Sequence, residues 1–68
     1  MTFRIAFHNP EGAVTGYYRQ ADPYTRWTTD STLAKTFGRR SSATSSADTL
    51  RQNLPSWVDR ITVEEVDG

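Results

Sequence analysis

His8 is the only histidine of the chain, and there is no cysteine anywhere in it. A usual zinc site draws its ligands from several Cys and His side chains, so this set cannot supply one. Nucleophilic catalysis of the Ser-His-Asp kind needs a serine hydroxyl, an imidazole and a carboxylate held in one hydrogen-bonded line. The serines instead cluster at expected helix starts, where capping accounts for them. Glu64, Glu65 and Asp67 bring carboxylates close together in sequence. On a strand, however, neighbouring side chains point to opposite faces, so Glu64 and Glu65 do not make an acid–base pair. Gly12, Gly16, Gly38 and Gly68 are scattered and form no phosphate-cradling loop. The expectation is a protein without catalytic residues, metal ligands or cofactor.

Recognition chemistry is better represented. Tyr17, Tyr18, Arg19, Tyr24, Arg26 and Trp27 form the densest group of residue types that dominate binding energy at protein interfaces. Alternation along a strand puts one of Tyr17 and Tyr18 in the core and leaves the other outside. Trp27 buries so much area that in a small domain it is expected to plug the core. Tyr17, Tyr18, Arg19, Tyr24 and Arg26 are therefore the candidate partner-binding residues. Lys35, Arg39 and Arg40 form the one basic patch. They are the candidate nucleic-acid contacts, with a solvated helix C-terminus, complementing the helix dipole, as the plainer reading.

Eight basic and eight acidic side chains cancel to a formal charge of zero. A dedicated nucleic-acid binder draws most of its affinity from a basic excess, which is lacking here. A phosphate mimic would be acidic. Seven of the eight cations are arginine, the type enriched at protein interfaces. A protein, or a protein–nucleic-acid complex, is thus the expected partner, and a homodimer is compatible with the same composition. No apolar run approaches the roughly 20 residues that cross a bilayer. The amino-terminal residues lack signal-peptide architecture, so a cytoplasmic protein starting at its natural beginning is expected.

These groups have to be held by 68 residues, enough for a single domain with a thin core. Without cysteine, disulfides cannot reinforce it. The apolar fraction of 35% leans toward disorder. Three Phe, three Tyr and two Trp outweigh that, because disordered chains are poor in aromatics.

Phe3, Ile5 and Phe7 alternate with Arg4, Ala6 and His8, a period-two strand. Asn9-Pro10-Glu11-Gly12 is a turn by its chemistry, and residues 14–20 read as the returning strand of a hairpin. Ala21-Asp22-Pro23 interrupts it, and residues 24–29 read as a connection. Asp30 is placed to cap a short helix over 31–37, with Gly38 at its left-handed end. Ser41 or Ser42 caps a second helix, running to about Asn53 and ended by Pro55. Trp57-Val58 leads into a last strand over 60–66. The expected fold is α+β: a three-stranded antiparallel sheet in the order ββααβ, its first strand central, with both helices on one face. Phe3, Ile5, Phe7, Leu33, Phe37, Ala47, Leu50, Ile61 and Val63 should form the core. The opposite face, carrying Arg4, Ala6, His8, Arg60, Thr62 and Glu64, should stay open.

With a Tyr-bearing hairpin, Trp27-x-x-Asp30, Ala34-x-x-Phe37, an alanine-bearing helix with Ala43 and Ala47, and a closing strand with Val63, Glu65 and Val66, the chain resembles small proteins of phages and prophages. Several proteins of that make-up inhibit host defence, anti-CRISPR proteins among them. They work by occupying a surface of an effector complex. The resemblance implies an accessory protein of a mobile element that contacts a protein subunit, a CRISPR effector being one such partner.

Overall fold

Alternating apolar residues and one tight turn set up the sheet. In the computed structural model, which describes residues 2–20, 26–52, 54, 56 and 58–66, β1 is Thr2–His8 and β2 is Val14–Tyr18. Asn9 closes the turn between them. Its side-chain oxygen accepts from the backbone N–H groups of Glu11 and Ala13, both at 3.0 Å. Gly12 sits at φ 89°, where only glycine is free of strain. The register slips by one residue between Phe7 and His8, so Thr15 forms a bulge in β2.

β3 is Trp27–Thr28, α1 is Arg40–Arg51 and β4 is Arg60–Val66. The sheet is antiparallel throughout, in the order β3-β2-β1-β4. β1 is central, as expected, and pairs with β4 along its whole length, from Thr2 against Val66 to His8 against Arg60.

The fold is α+β, but the expected three-stranded sheet with two helices is corrected to a four-stranded sheet with a single α-helix among the described residues. Two local competitions explain the difference. Trp27 and Thr28, expected in a connection, pair with Tyr18 and Tyr17 on the outer edge of β2. The missing side chain of Gly16 makes this possible. A Cβ there would lie 3.2 Å from Trp27 Cε3 and 3.2 Å from the Thr28 carbonyl oxygen.

The second competition is over residues 31–37. Asp30 does cap, accepting from the Thr32 N–H at 2.9 Å and the Thr32 hydroxyl at 2.6 Å. Those two bonds hold its carboxyl below the ordinary aspartate pKa. What it caps is one 3-10 turn, Ser31–Leu33, after which Ala34 is already extended. The chain stays extended because Phe37 bridges to Phe3. Each donates its N–H to the other's carbonyl, at 2.7 and 2.9 Å. A two-bond bridge to the central strand outweighs weak helix propensity. Leu33 consequently stands 47% exposed rather than in the core. Gly38 is not left-handed, since Gly12 alone among the described residues has positive φ. α1 begins at Arg40, with Arg39 at its N-cap position and no side-chain cap, so Ser41 and Ser42 lie inside its first turn. The breaks expected at Ala21, Asp22 and Pro23, the helix end at Asn53 and Pro55, and Trp57 lie outside the described residues.

α1 covers the face of the sheet that carries Phe3, Ile5 and Phe7. It docks through Ala43 and Ala47, both fully buried, one turn apart. Ile5, Phe7, Tyr18, Phe37, Val58 and Ile61 complete the core, with Phe3, Leu50, Leu54 and Val63 packed against it.

Candidate interaction surface

No helix or strand among the described residues lies over the opposite face of the sheet. Its floor is Ala6, 0% exposed. Tyr17 and Thr62 are its direct partners on the two flanking strands, and Arg4 and His8 are its neighbours along β1.

Arg4 is held from two sides. Its guanidinium carbon lies 4.4 Å from the centroid of the Tyr17 ring, a cation–π contact. Its Nε donates to Glu64 Oε2 at 3.0 Å. The strand register brings these groups together, since Arg4 pairs with Glu64 and Ala6 with Tyr17. The two terminal NH2 groups of Arg4 have no partner among the described residues. A guanidinium already oriented by a ring and a carboxylate loses little side-chain freedom when an acceptor arrives.

His8 binds the other end of this face together. Nδ1 lies 3.0 Å from the Gly12 carbonyl oxygen, and Nε2 lies 2.7 Å from Thr62 Oγ1. A carbonyl can only accept, so Nδ1 carries the proton and Nε2 accepts from the Thr62 hydroxyl. The ring therefore joins the hairpin turn to β4. Neither nitrogen is left for a reacting group, and no cluster of His, Asp and Glu among the described residues could hold a metal.

The structure separates the two tyrosines. Tyr18 is 8% exposed, its ring stacked 6.4 Å from that of Phe37, and belongs to the core. Tyr17 stands on the uncovered face. Arg19 is exposed and Arg26 half-buried. The Arg19 N–H donates to the Arg26 carbonyl at 2.8 Å, extending the β2–β3 ladder by one step. That step sets Arg19 opposite Arg26 on the Tyr17 side of the sheet. Tyr24 lies outside the described residues. Trp27 does not plug the core: it lies over Gly16 with 44% of its surface exposed.

The basic patch lies on the helix side. Lys35 Nζ is 5.6 Å from the Phe37 ring centroid, and the Arg40 guanidinium is 5.0 Å from that of Phe3. Both cations cover rims of the core. Arg39 and Arg40 start α1 rather than ending a helix, so the dipole argument made for them is reversed: they face its positive end. Two contributors to the uncovered face were undervalued in the sequence. Both were placed on the open face, but neither the burial of Ala6 nor the Arg4–Glu64 ion pair was anticipated.

No family model, curated protein or solved structure matches the chain.

Proposed function

We propose that this protein is a non-enzymatic binding module that docks another protein on its uncovered sheet face. The observation that carries this reading is the Arg4 guanidinium, stacked on Tyr17 and tied to Glu64 through Nε, with its terminal NH2 groups unpaired among the described residues. Arginine and tyrosine are the side chains that most often concentrate binding energy, and their effect is greatest when they are already ordered. Arg19 and Arg26 extend the same surface toward the β3 edge. The resemblance to phage accessory proteins supports a narrower version, in which the partner is a protein subunit of a host-defence complex such as a CRISPR effector.

Nucleic-acid binding through Lys35, Arg39 and Arg40 is the second reading, favoured by their exposure at the start of α1. It is the weaker one, because Lys35 and Arg40 lie over core rings and the cations are divided between two faces of a neutral molecule.

The test begins with capture of the partner from a natural host and identification by mass spectrometry. Affinity is then measured for Tyr17→Ala, Arg4→Ala and the double charge reversal Arg39→Glu, Arg40→Glu. Truncating Tyr17 or Arg4 should cost about 2 kcal/mol, roughly thirtyfold, with little change in melting temperature. The reading fails if the charge reversal abolishes binding while both truncations leave it intact.

A further inference from the structure

β4 is an edge strand seven residues long, and its outer side has a definite hydrogen-bonding pattern. Phe3 uses both its N–H and its C=O toward Phe37, away from β4. In an antiparallel ladder the direction of these groups alternates from residue to residue. Phe3 against Glu65 is therefore a pair without mutual bonds, as are Ile5 against Val63 and Phe7 against Ile61. Ile61, Val63 and Glu65 then direct their N–H and C=O groups to the free edge. Arg51 agrees with this, since its Nη2 reaches the Ile61 carbonyl from that side at 3.2 Å. The edge-facing groups of Val63 and Glu65 have no backbone partner among the described residues.

Charges on an edge strand ordinarily discourage pairing. Those of β4 are arranged differently. Arg60-Ile61-Thr62-Val63-Glu64 is self-complementary about Thr62 when read against itself in the antiparallel direction. We infer that β4 is a homodimerisation edge, pairing antiparallel with β4 of a second copy about a two-fold axis at Thr62.

In that register Arg60 stands opposite Glu64 of the second copy, twice by symmetry, on the uncovered face. Ile61 stands opposite Val63 as a mutually hydrogen-bonded pair, the incoming Val63 N–H replacing Arg51 Nη2 at the Ile61 carbonyl, and both residues are ones whose backbone groups face the edge. Thr62 meets its own copy across a pair without mutual bonds. Shifting the axis to Val63 moves Arg60 opposite Val66, and shifting it to Glu64 sets the two Glu64 carboxylates against each other. Charge thus selects the Thr62 register. Its unfavourable contact, also formed twice, is Asp59 with Glu65, both exposed and just past the five-residue match. Arg60 has no ion-pair partner among the described residues, and Glu64 already holds Arg4, so the incoming arginine completes an Arg–Glu–Arg row. The product is a continuous eight-stranded sheet with both helices on one side and both uncovered faces on the other. This inference concerns the edge and stands apart from what docks on the face.

Sedimentation velocity on the full chain, from about 5 μM to about 1 mM, reads the association constant. A concentration-dependent dimer is expected. Arg60→Glu and Glu64→Arg should each weaken it about tenfold, by placing like charges opposite one another twice. An equimolar mixture of the two variants should recover it, because each then supplies what the other lacks. Thr62→Cys provides a register test, since the chain has no other cysteine. Opposed residues in such a pair have Cα atoms about 4.5 Å apart, within disulfide reach. Mild oxidation should link Thr62→Cys to itself. Glu65→Cys should stay unlinked, with its two copies about 20 Å apart along the strands. The charge variants do not touch the His8–Thr62 bond, so they decide the matter if Thr62→Cys folds poorly. A chain that stays monomeric throughout, a dimer indifferent to both charge variants, or a mixture no tighter than either variant alone would overturn the assignment.

Discussion

At the scale of single residues, His8 shows how a chemically versatile side chain can be committed to structure. Its protonated Nδ1 faces the Gly12 carbonyl and its Nε2 faces the Thr62 hydroxyl, so both hydrogen-bonding sites are occupied. Removing the ring strands two partly buried polar groups, one on the hairpin turn and one on β4. A lost partner of this kind costs about 1–3 kcal/mol per site at most, and solvent reaching the cavity lowers that figure. His8→Ala is therefore expected to destabilise by about 2 kcal/mol while leaving partner affinity and metal content unchanged. Urea unfolding, metal analysis and a binding titration on the same preparation check all three. A folded His8→Ala variant that has lost its function would show that the imidazole does more than join two elements. Arg4 is the opposite case. Its Nε and its ring contact are satisfied, but its terminal donors have no partner among the described residues, and that difference is why the proposed docking surface is centred on it.

At the scale of elements, the legible parts were those where one periodicity had no rival. The alternation of Phe3, Ile5 and Phe7, and of Ile61 and Val63, placed β1 and β4. The Asn9–Gly12 chemistry placed the hairpin. The first expected helix failed because a capping aspartate says where a turn begins, not how far it runs. The distant Phe3–Phe37 bridge decided its length, and nothing local announces that bridge. β3 was missed because two residues carry no period. Its one available signal was Gly16, since a glycine inside a strand often marks the close approach of another group. On the uncovered face, Arg4, Ala6 and His8 were placed correctly, but alternation cannot say that Arg4 would reach both Tyr17 and Glu64. Gly16 also makes the β2–β3 pairing testable. A Cβ at this position already meets backbone oxygen at 3.2 Å, so the two methyls of valine cannot be absorbed by moving Trp27 alone. Gly16→Val should cost about 1–3 kcal/mol, the usual penalty of overpacking, and release β3 before the rest of the sheet. Amide exchange would show it as early loss of protection at Arg19, whose N–H depends on the Arg26 carbonyl. Unchanged protection there would mean that β3 does not need the space Gly16 leaves.

At the scale of the whole molecule, the core is one-sided. Among the described residues a single α-helix, docked by two alanines, covers one face of the sheet, and no helix or strand lies over the other, where Ala6 is buried. Such an arrangement leaves a large surface for a partner, and it leaves little stability in reserve. At about 0.05–0.15 kcal/mol per residue, a chain of 68 residues has about 3–10 kcal/mol in total. Phe37 is where most of the structure is tied together. Its backbone bridges to Phe3 on the central strand, its ring stacks on Tyr18, and Lys35 Nζ lies over that ring. Phe37→Ala keeps the backbone bridge available but removes the buried ring that stacks on Tyr18. Truncating a buried phenylalanine costs about 3–5 kcal/mol through lost transfer free energy and the cavity left behind. That is between a third and all of the available stability, so the variant should be at least partly unfolded at 25 °C. The measurement is a urea titration followed by tryptophan fluorescence and far-ultraviolet circular dichroism together. The expected result is a midpoint shifted sharply downward, or no folded baseline at all, with both probes in step. A cooperative transition at the original midpoint would mean that the segment after the 3-10 turn is held by its two backbone bonds alone, and that the core does not extend to Phe37.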